Sequence, residues 1–106
     1  RWIDVVDFPL NKLARCCGPE DNMEYKESTD KWNNSVDSLA EHIKSDGQIA
    51  PLIAYYGRHY GKEGFSVRDG NHRLGACEKL GIPTHNTFIW CDSEEDFKKV
   101  KQLIYK

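Results

Sequence analysis

The segment FSVRDGNHRLGACEKLGI, residues 65–82, restricts the fold more than any other part of the chain. A short β-rich run over residues 65–68 leads within a few positions into a helical pattern over residues 71–80. Gly70 stands at the junction, where it permits a positive φ angle or the close approach of a ligand, and Gly81 follows where a helix C-cap is expected. The segment therefore predicts a strand that turns directly into a short helix.

Other short apolar patterns flank this unit. They predict strands over residues 2–6 and 51–56 and a segment over residues 82–90 that ends in a strand. They also predict a helix over residues 36–46 capped by Ser35, a glycine-rich hairpin loop over residues 57–64, and a last helix opened by Ser93. Residues 14–34 show no clear period and predict a long loop, or a loop with a short helical turn, of a length that is often functional in a small domain. The order of elements predicts an α+β fold, a small mixed sheet with flanking helices, in a single domain over residues 1–106.

Composition and charge exclude several classes of function. The formal net charge of −2 argues against nucleic-acid binding through overall charge, so such binding requires a local patch or a missing domain. The lysines near the C-terminus (Lys98, Lys99, Lys101 and Lys106) are better explained as a solvated helix face. No apolar run approaches the roughly 20 residues of a membrane span, so no membrane association is expected.

The four cysteines form no CxxC pair and show no zinc-ligand spacing. We expect reduced thiols in a cytoplasmic protein, with the Cys16–Cys17 doublet either reactive or simply packed. Because the chain begins with Arg1 rather than Met, we expect it to be a fragment or a processed form of a longer protein.

Asp69, Gly70, Asn71, His72 and Arg73 place several polar groups at the predicted strand-to-helix turn. The unpaired N–H groups and the dipole of a helix N-terminus favour an anion. The guanidinium of Arg73 can donate two hydrogen bonds to a phosphate in a bidentate arrangement. His72 adds a hydrogen-bond donor, or a proton near neutral pH. Asp69 has the wrong sign for phosphate and is better suited to bind Mg²⁺ or to act as a base. The turn therefore predicts a phosphate or nucleotide site.

Each of these residues alone also has a purely structural explanation. Asp69 could cap the helix, and His72 could simply lie at the surface. Arg73 could form an ion pair with Glu78 or Asp69. The juxtaposition of all of them at one turn favours the functional interpretation.

The stretch VRDGNHRLGACEKLGI resembles the signature of the ParB/sulfiredoxin superfamily, in which a strand leads into a Gly-x-x-Arg turn and a short helix ending in Leu-Gly. Upstream, SVDSLAEHIKSDGQIAPLIAYY resembles the family's helix followed by Gln-x-Pro and a strand. The resemblance covers about residues 35–90, and residues 1–13 fit the family's opening strand loosely.

The resemblance implies different chemistry in different branches. Sulfiredoxins carry a nucleophilic cysteine at the position of Asn71, so their reaction is not expected here. Partition ParB proteins bind CTP and read DNA with a following helix-turn-helix, which is not seen before the chain ends at Lys106. Free-serine kinases keep the Asp-Gly-x-His-Arg form and use a glutamate of the N-terminal loop as base. The loop offers Glu20, Glu24 and Glu27, of which Glu20 is our first choice.

The leading prediction is a nucleotide-binding domain that takes ATP, ADP or CTP with Mg²⁺ and performs phosphoryl transfer to a small-molecule or protein acceptor, or nucleotide hydrolysis. An enzyme of that type is favoured. The predicted catalytic residues are Asp69, His72 and Glu20, the predicted nucleotide-binding residues are Gly70, Asn71, His72, Arg73 and Gln48, and the predicted metal ligand is Asp69. Gln48 enters by resemblance alone, and a simple loop role explains it equally well.

Two alternatives remain open. One is a non-catalytic, DNA-associated or regulatory ParB-like module, for which the remaining machinery lies elsewhere in a longer chain. The other is an effector or toxin domain of a larger protein that acts on nucleotides or RNA.

Overall fold

The computed structural model describes residues 1–59 and 62–104. The elements in chain order are β1 (Trp2–Pro9), a 3₁₀ turn (Leu10–Lys12), β2 (Leu13–Ala14), β3 (Cys17–Gly18), β4 (Tyr25–Lys26), α1 (Thr29–Asp46), β5 (Leu52–His59), β6 (Lys62–Asp69), α2 (Asn71–Leu80), β7 (Thr84–Trp90) and α3 (Glu94–Ile104). This arrangement confirms the predicted α+β fold with a mixed sheet.

Five strands form one sheet in the order β1-β7-β5-β6-β2. β5 is parallel to β7 and antiparallel to β6, while β1 is antiparallel to β7 and β2 is parallel to β6. Asp69 at the end of β6 pairs with Ile53 near the start of β5. The turn that follows Asp69 therefore lies at the end of the sheet where β5 begins.

The core lies on one face of this sheet. Leu52, Ala54 and Tyr56 are buried while the side chains between them are partly exposed, because successive strand residues point to opposite faces. α2 packs on Leu52 through Leu74, and α3 packs on Ala54 through Val100. α1 forms a second layer, since its buried residues cluster with those of α2.

α1 begins well before the predicted start. Ser28 is the N-cap, and its Oγ accepts a hydrogen bond from the backbone N–H of Lys31 at 3.2 Å. The predicted cap at Ser35 is therefore wrong. Trp32 and Val36 lie one turn apart on the buried face of α1, so the apolar stripe starts with a single tryptophan among polar residues.

Both predicted bounds of the long loop over residues 14–34 are wrong. Ala14 belongs to β2, and residues from Thr29 onward belong to α1. Within the remaining connection, β3 and β4 pair in parallel, with Cys17 opposite Tyr25. This small pairing orders part of the connection.

Several other boundaries differ from the predictions. β1 runs three residues beyond the predicted end, to Pro9, and β5 and β6 extend into the predicted hairpin loop. The segment over residues 82–90 ends in a strand, as predicted, since β7 covers Thr84–Trp90. The tip of the hairpin loop, residues 60 and 61, lies outside the described residues, as does Lys106. The predictions for α2 and for the Ser93 cap are confirmed, the cap by a 3.1 Å hydrogen bond from the N–H of Asp96 to Ser93 Oγ.

Across the residues that the structure describes, no helix has the length and apolar character needed to cross a membrane. The four cysteines are all free thiols.

Candidate functional site

The turn between β6 and α2 is made possible by Gly70. Its φ angle of 100° lies in the left-handed region. A Cβ at this position would lie 2.7 Å from Leu52 Cδ2 and 2.9 Å from Arg73 Nε. Only glycine satisfies both the conformation and the space. With Gly70 as N-cap, no side chain caps α2, and the N–H groups of its first turn remain available to an anion.

Arg73 folds back over this glycine. Its Nη2 lies 3.3 Å from Asp69 Oδ2, and only 24% of its side chain is exposed. Its Nε is buried and has no hydrogen-bond partner among the described residues. A buried donor without an acceptor is costly, so the site lacks an acceptor that a bound anion would supply.

Asp69, the predicted metal ligand, lies at the turn, where its carboxylate is 70% exposed and pairs with Arg73. It belongs to no group of three ligand-bearing side chains within the described part of the chain. The prediction that Asp69 binds a metal ion therefore stays a prediction.

The side chain of Asn71 is used by the fold itself. Its Oδ1 accepts hydrogen bonds from the backbone N–H groups of Cys16 at 2.8 Å and Cys17 at 3.3 Å. Its Nδ2 donates to the carbonyl of Val67 at 3.2 Å. Asn71 therefore ties the segment around β3 to the start of α2, and only its backbone N–H faces the predicted anion site as part of the first turn.

His72 is held between an acid and an aromatic ring. Its Nε2 lies 2.8 Å from Glu27 Oε1, and its ring lies 4.9 Å from the ring of Trp32. The hydrogen bond from His72 keeps the pKa of the Glu27 carboxyl below its usual range. Only 14% of the Glu27 side chain is exposed. The pair has the composition of a proton-transfer pair.

Glu20, the first choice for the base, instead pairs with Arg15. The hydrogen bond from Arg15 lowers the pKa of Glu20. Arg15 also contacts Glu78 at 3.3 Å and stacks over the ring of Trp32 at 4.6 Å. Among the three loop glutamates, the structure brings Glu27 to the turn, while Glu24 contacts Arg68 at 3.3 Å. The sequence signal that could have identified Glu27 is Ser28: as the N-cap of α1, it places Glu27 next to the start of a helix.

Gln48 and Arg73 line one cleft of about 430 Å³. The other lining residues come from α1 and the segment that follows it: Leu39, His42, Ile43, Asp46, Ile49 and Ala50. The cleft adjoins the turn through Arg73. The two residues, which are far apart in the sequence, thus share one concave surface.

Cys17 is a residue that sequence reasoning did not place at the site. Its thiol, the carboxylate of Glu27 and the imidazole of His72 have ligand atoms within 4.8 Å of one another. Burial, and the nearby Glu27 carboxylate, raise the pKa of the Cys17 thiol. No spacing motif marks this cluster, because its members come from three separate parts of the chain.

Comparison with solved structures identifies the fold. Sulfiredoxin from Arabidopsis thaliana is similar over 92% of this chain and 94% of its own, with 25% identity and a TM-score of 0.54. A free serine kinase in complex with AMP is similar over 84% of this chain but 30% of its own, with 16% identity and a TM-score of 0.57. The chromosome-partitioning protein ParB from Caulobacter crescentus, complexed with CTP-γ-S, is similar over 100% of this chain and 54% of its own, with 13% identity and a TM-score of 0.54.

The chain therefore has the ParB/sulfiredoxin-like fold that its sequence resembles. It spans less than a third of the length of the free serine kinase chain and about half of the truncated ParB chain. No protein-family model and no curated protein matches the sequence.

Proposed function

We propose that the turn between β6 and α2 binds the phosphates of a nucleotide. The observation that carries the proposal is the buried Nε of Arg73, which has no partner among the described residues and lies at the uncapped start of α2. Phosphate oxygens supply acceptors both for this donor and for the N–H groups of the first turn. A phosphate would also compete with Asp69 for the guanidinium of Arg73.

The nucleoside would occupy the cleft that Gln48 and Arg73 line. Its volume of about 430 Å³ lies within the range of small-molecule sites. The neighbouring folds support a nucleotide as ligand, since one was solved with AMP and another with CTP-γ-S. ATP, ADP and CTP are therefore the nucleotides to test first.

Glu27 and His72 supply the chemistry for phosphoryl transfer or nucleotide hydrolysis. The pair would take the proton of an attacking hydroxyl group or water, while the oxygen forms a bond to phosphorus and the bond to the leaving phosphate oxygen breaks. Asp69 would hold Mg²⁺, whose charge balances that of the phosphates. We propose Glu27 rather than Glu20 for this role, because the structure places Glu27 2.8 Å from His72 and pairs Glu20 with Arg15.

A cavity of about 650 Å³ behind the segment around β3 offers space for a small acceptor. Its lining includes three buried residues, Cys16, Phe65 and Ser66, and the partly exposed Met23. Cys16, which lines this cavity, is hydrogen-bonded through its backbone N–H to Asn71 Oδ1 at 2.8 Å. A protein acceptor, by contrast, would have to approach from the exposed side of Asp69.

Calorimetric titration of the purified chain with ATP, ADP, CTP and GTP in Mg²⁺ tests the nucleotide site. Arg73→Ala should weaken binding about 10- to 100-fold, the equivalent of one or two charge-assisted hydrogen bonds. Arg1→Ala is the matched control, because Arg1 pairs with Glu94. Equal binding by the Arg73→Ala variant would refute the phosphate cradle.

A nucleotide-binding module without turnover is the second candidate. It is favoured by the likeness to ParB, whose structure holds CTP-γ-S. Incubation with the nucleotide that binds best separates the two: formation of inorganic phosphate or a phosphorylated acceptor supports an enzyme, whereas tight binding without product supports the module.

A further inference from the structure

Three metal-ligating side chains meet beside the turn. Cys17 comes from β3, Glu27 from the residue before the cap of α1, and His72 from the first turn of α2. One ligand atom of each lies within 4.8 Å of the others, and no other such group occurs among the described residues.

The backbone around the cluster is held in place from several sides. The N–H of Cys17 donates to Asn71 Oδ1 at 3.3 Å, and its carbonyl accepts from Arg15 Nη1 at 3.1 Å. The ring of Trp32 packs against the imidazole of His72. The three ligands are thus positioned before any ion binds, which reduces the ordering cost of binding.

The donor atoms of the cluster suit a cation, because they are a carboxylate oxygen, a sulfur and an imidazole nitrogen. The carboxylate of Glu27 is largely enclosed, and its neighbours are His72 Nε2 at 2.8 Å and the exposed Lys31 at 3.7 Å. A divalent ion would balance both the carboxylate and a thiolate. Bond lengths of about 2.0–2.3 Å around a tetrahedral ion require the ligand atoms to be about 3–4 Å apart, so side-chain adjustments suffice.

We propose that Cys17, Glu27 and His72 bind a divalent transition-metal ion of the zinc type. A sulfur and an imidazole nitrogen select Zn²⁺ or Co²⁺ over Mg²⁺ and Ca²⁺, which take oxygen ligands. Three protein ligands leave a fourth coordination position for water or a ligand oxygen, the arrangement of zinc sites that act on substrates rather than only stabilise a fold. This inference stands on the cluster alone and does not rest on the proposed nucleotide site, although a bound ion would occupy the Glu27 and His72 atoms that the phosphoryl-transfer proposal uses to take a proton.

Titration of the chelator-treated, full chain with Co²⁺ tests the proposal. We expect one ion per chain and a near-ultraviolet thiolate-to-cobalt charge-transfer band, which added Zn²⁺ removes by displacement. Cys17→Ser should abolish the band, while Cys16→Ser, which changes the neighbouring thiol outside the cluster, should retain it. His72→Gln and Glu27→Gln should each weaken Zn²⁺ binding at least 10-fold, measured by competition with a chromophoric chelator. Circular dichroism shows whether each variant is folded.

Absence of the thiolate band in the folded wild-type chain would overturn the proposal, as would a Cys17→Ser variant that binds Zn²⁺ as tightly as the wild type. A parallel titration separates this site from the nucleotide site. Arg73→Ala should weaken nucleotide binding and keep the cobalt band. Cys17→Ser, in zinc-free buffer with Mg²⁺, should keep nucleotide binding and lose the band. The two titrations therefore distinguish a failure of the metal-site proposal from a failure of the nucleotide-site proposal.

Discussion

Glu27 Oε1 lies 2.8 Å from His72 Nε2, although 45 residues separate the two in the chain. Two features of the fold bring them together. Ser28 caps α1 and so places Glu27 at its start, and the buried face of α1 packs against α2, which carries His72 in its first turn. The relationship between the two residues thus depends on how two helices pack.

Replacing Glu27 tests its role as the base. In zinc-free buffer with Mg²⁺, Glu27→Gln should lower kcat for phosphoryl transfer or hydrolysis about 100- to 10,000-fold, the usual contribution of a general base. Glu20→Gln, the control with the same chemical change, should keep kcat within a few-fold, because Glu20 pairs with Arg15. If Glu20→Gln causes the large loss instead, the original choice of base is correct.

Gly70→Ala should destabilise the fold more than an ordinary glycine replacement. Alanine at a φ of 100° costs about 1–2 kcal/mol from backbone strain, and the contact of 2.7 Å with Leu52 adds about 1–3 kcal/mol of crowding. Gly47→Ala is the matched control, since Gly47 also has a positive φ, of 72°, but nothing lies within 4 Å of an added Cβ. Urea unfolding of the two variants measures the difference, and equal losses would show that crowding at the turn is absent.

Asn71→Ala should release the segment around β3 from α2. The replacement leaves the N–H groups of Cys16 and Cys17 without their acceptor, at a cost of about 1–3 kcal/mol in the free energy of unfolding. Hydrogen exchange of those two amides should accelerate. Asn33→Ala, at an exposed position of α1, serves as the control and should leave both amides protected. Unchanged protection in the Asn71→Ala variant would contradict the assigned role.

The ion pair between Glu20 and Arg15 predicts a small dependence of stability on pH. The pKa of Glu20 is lower in the folded state because Arg15 donates a hydrogen bond to it. The resulting stabilisation is complete above the ordinary glutamate pKa and disappears as the pH falls through the lowered folded value. Because 42% of the Glu20 side chain is exposed, the effect should be about 0.5 kcal/mol or less.

Unfolding of the wild type and of Glu20→Gln at neutral pH and in acid checks the sign of this effect. The variant should be less stable than the wild type at neutral pH, and the difference should shrink in acid. A difference that grows as the pH falls would show that the assigned sign is wrong.

The helix α2 was predictable because its signals are local. Gly70 and Gly81 both have left-handed backbone conformations at its two ends, and Leu74 and Cys77 lie on its buried face between them. The contact between Arg73 and Asp69 spans one helical turn and was among the alternatives that the sequence offered. The start of α1 was missed because its first turn carries only one apolar residue, Trp32, and its cap, Ser28, lies in a polar run.

The sequence by itself determined the strand-to-helix turn, the glycine within it and the basic group beside it, since each follows from the backbone geometry of neighbouring residues. Only the tertiary structure decided which glutamate meets His72, that the amide of Asn71 serves the fold, and that Cys17 joins the site. These contacts join residues that are distant in the chain. They form only when α1 and the segment around β3 pack against α2, and no local spacing encodes that packing.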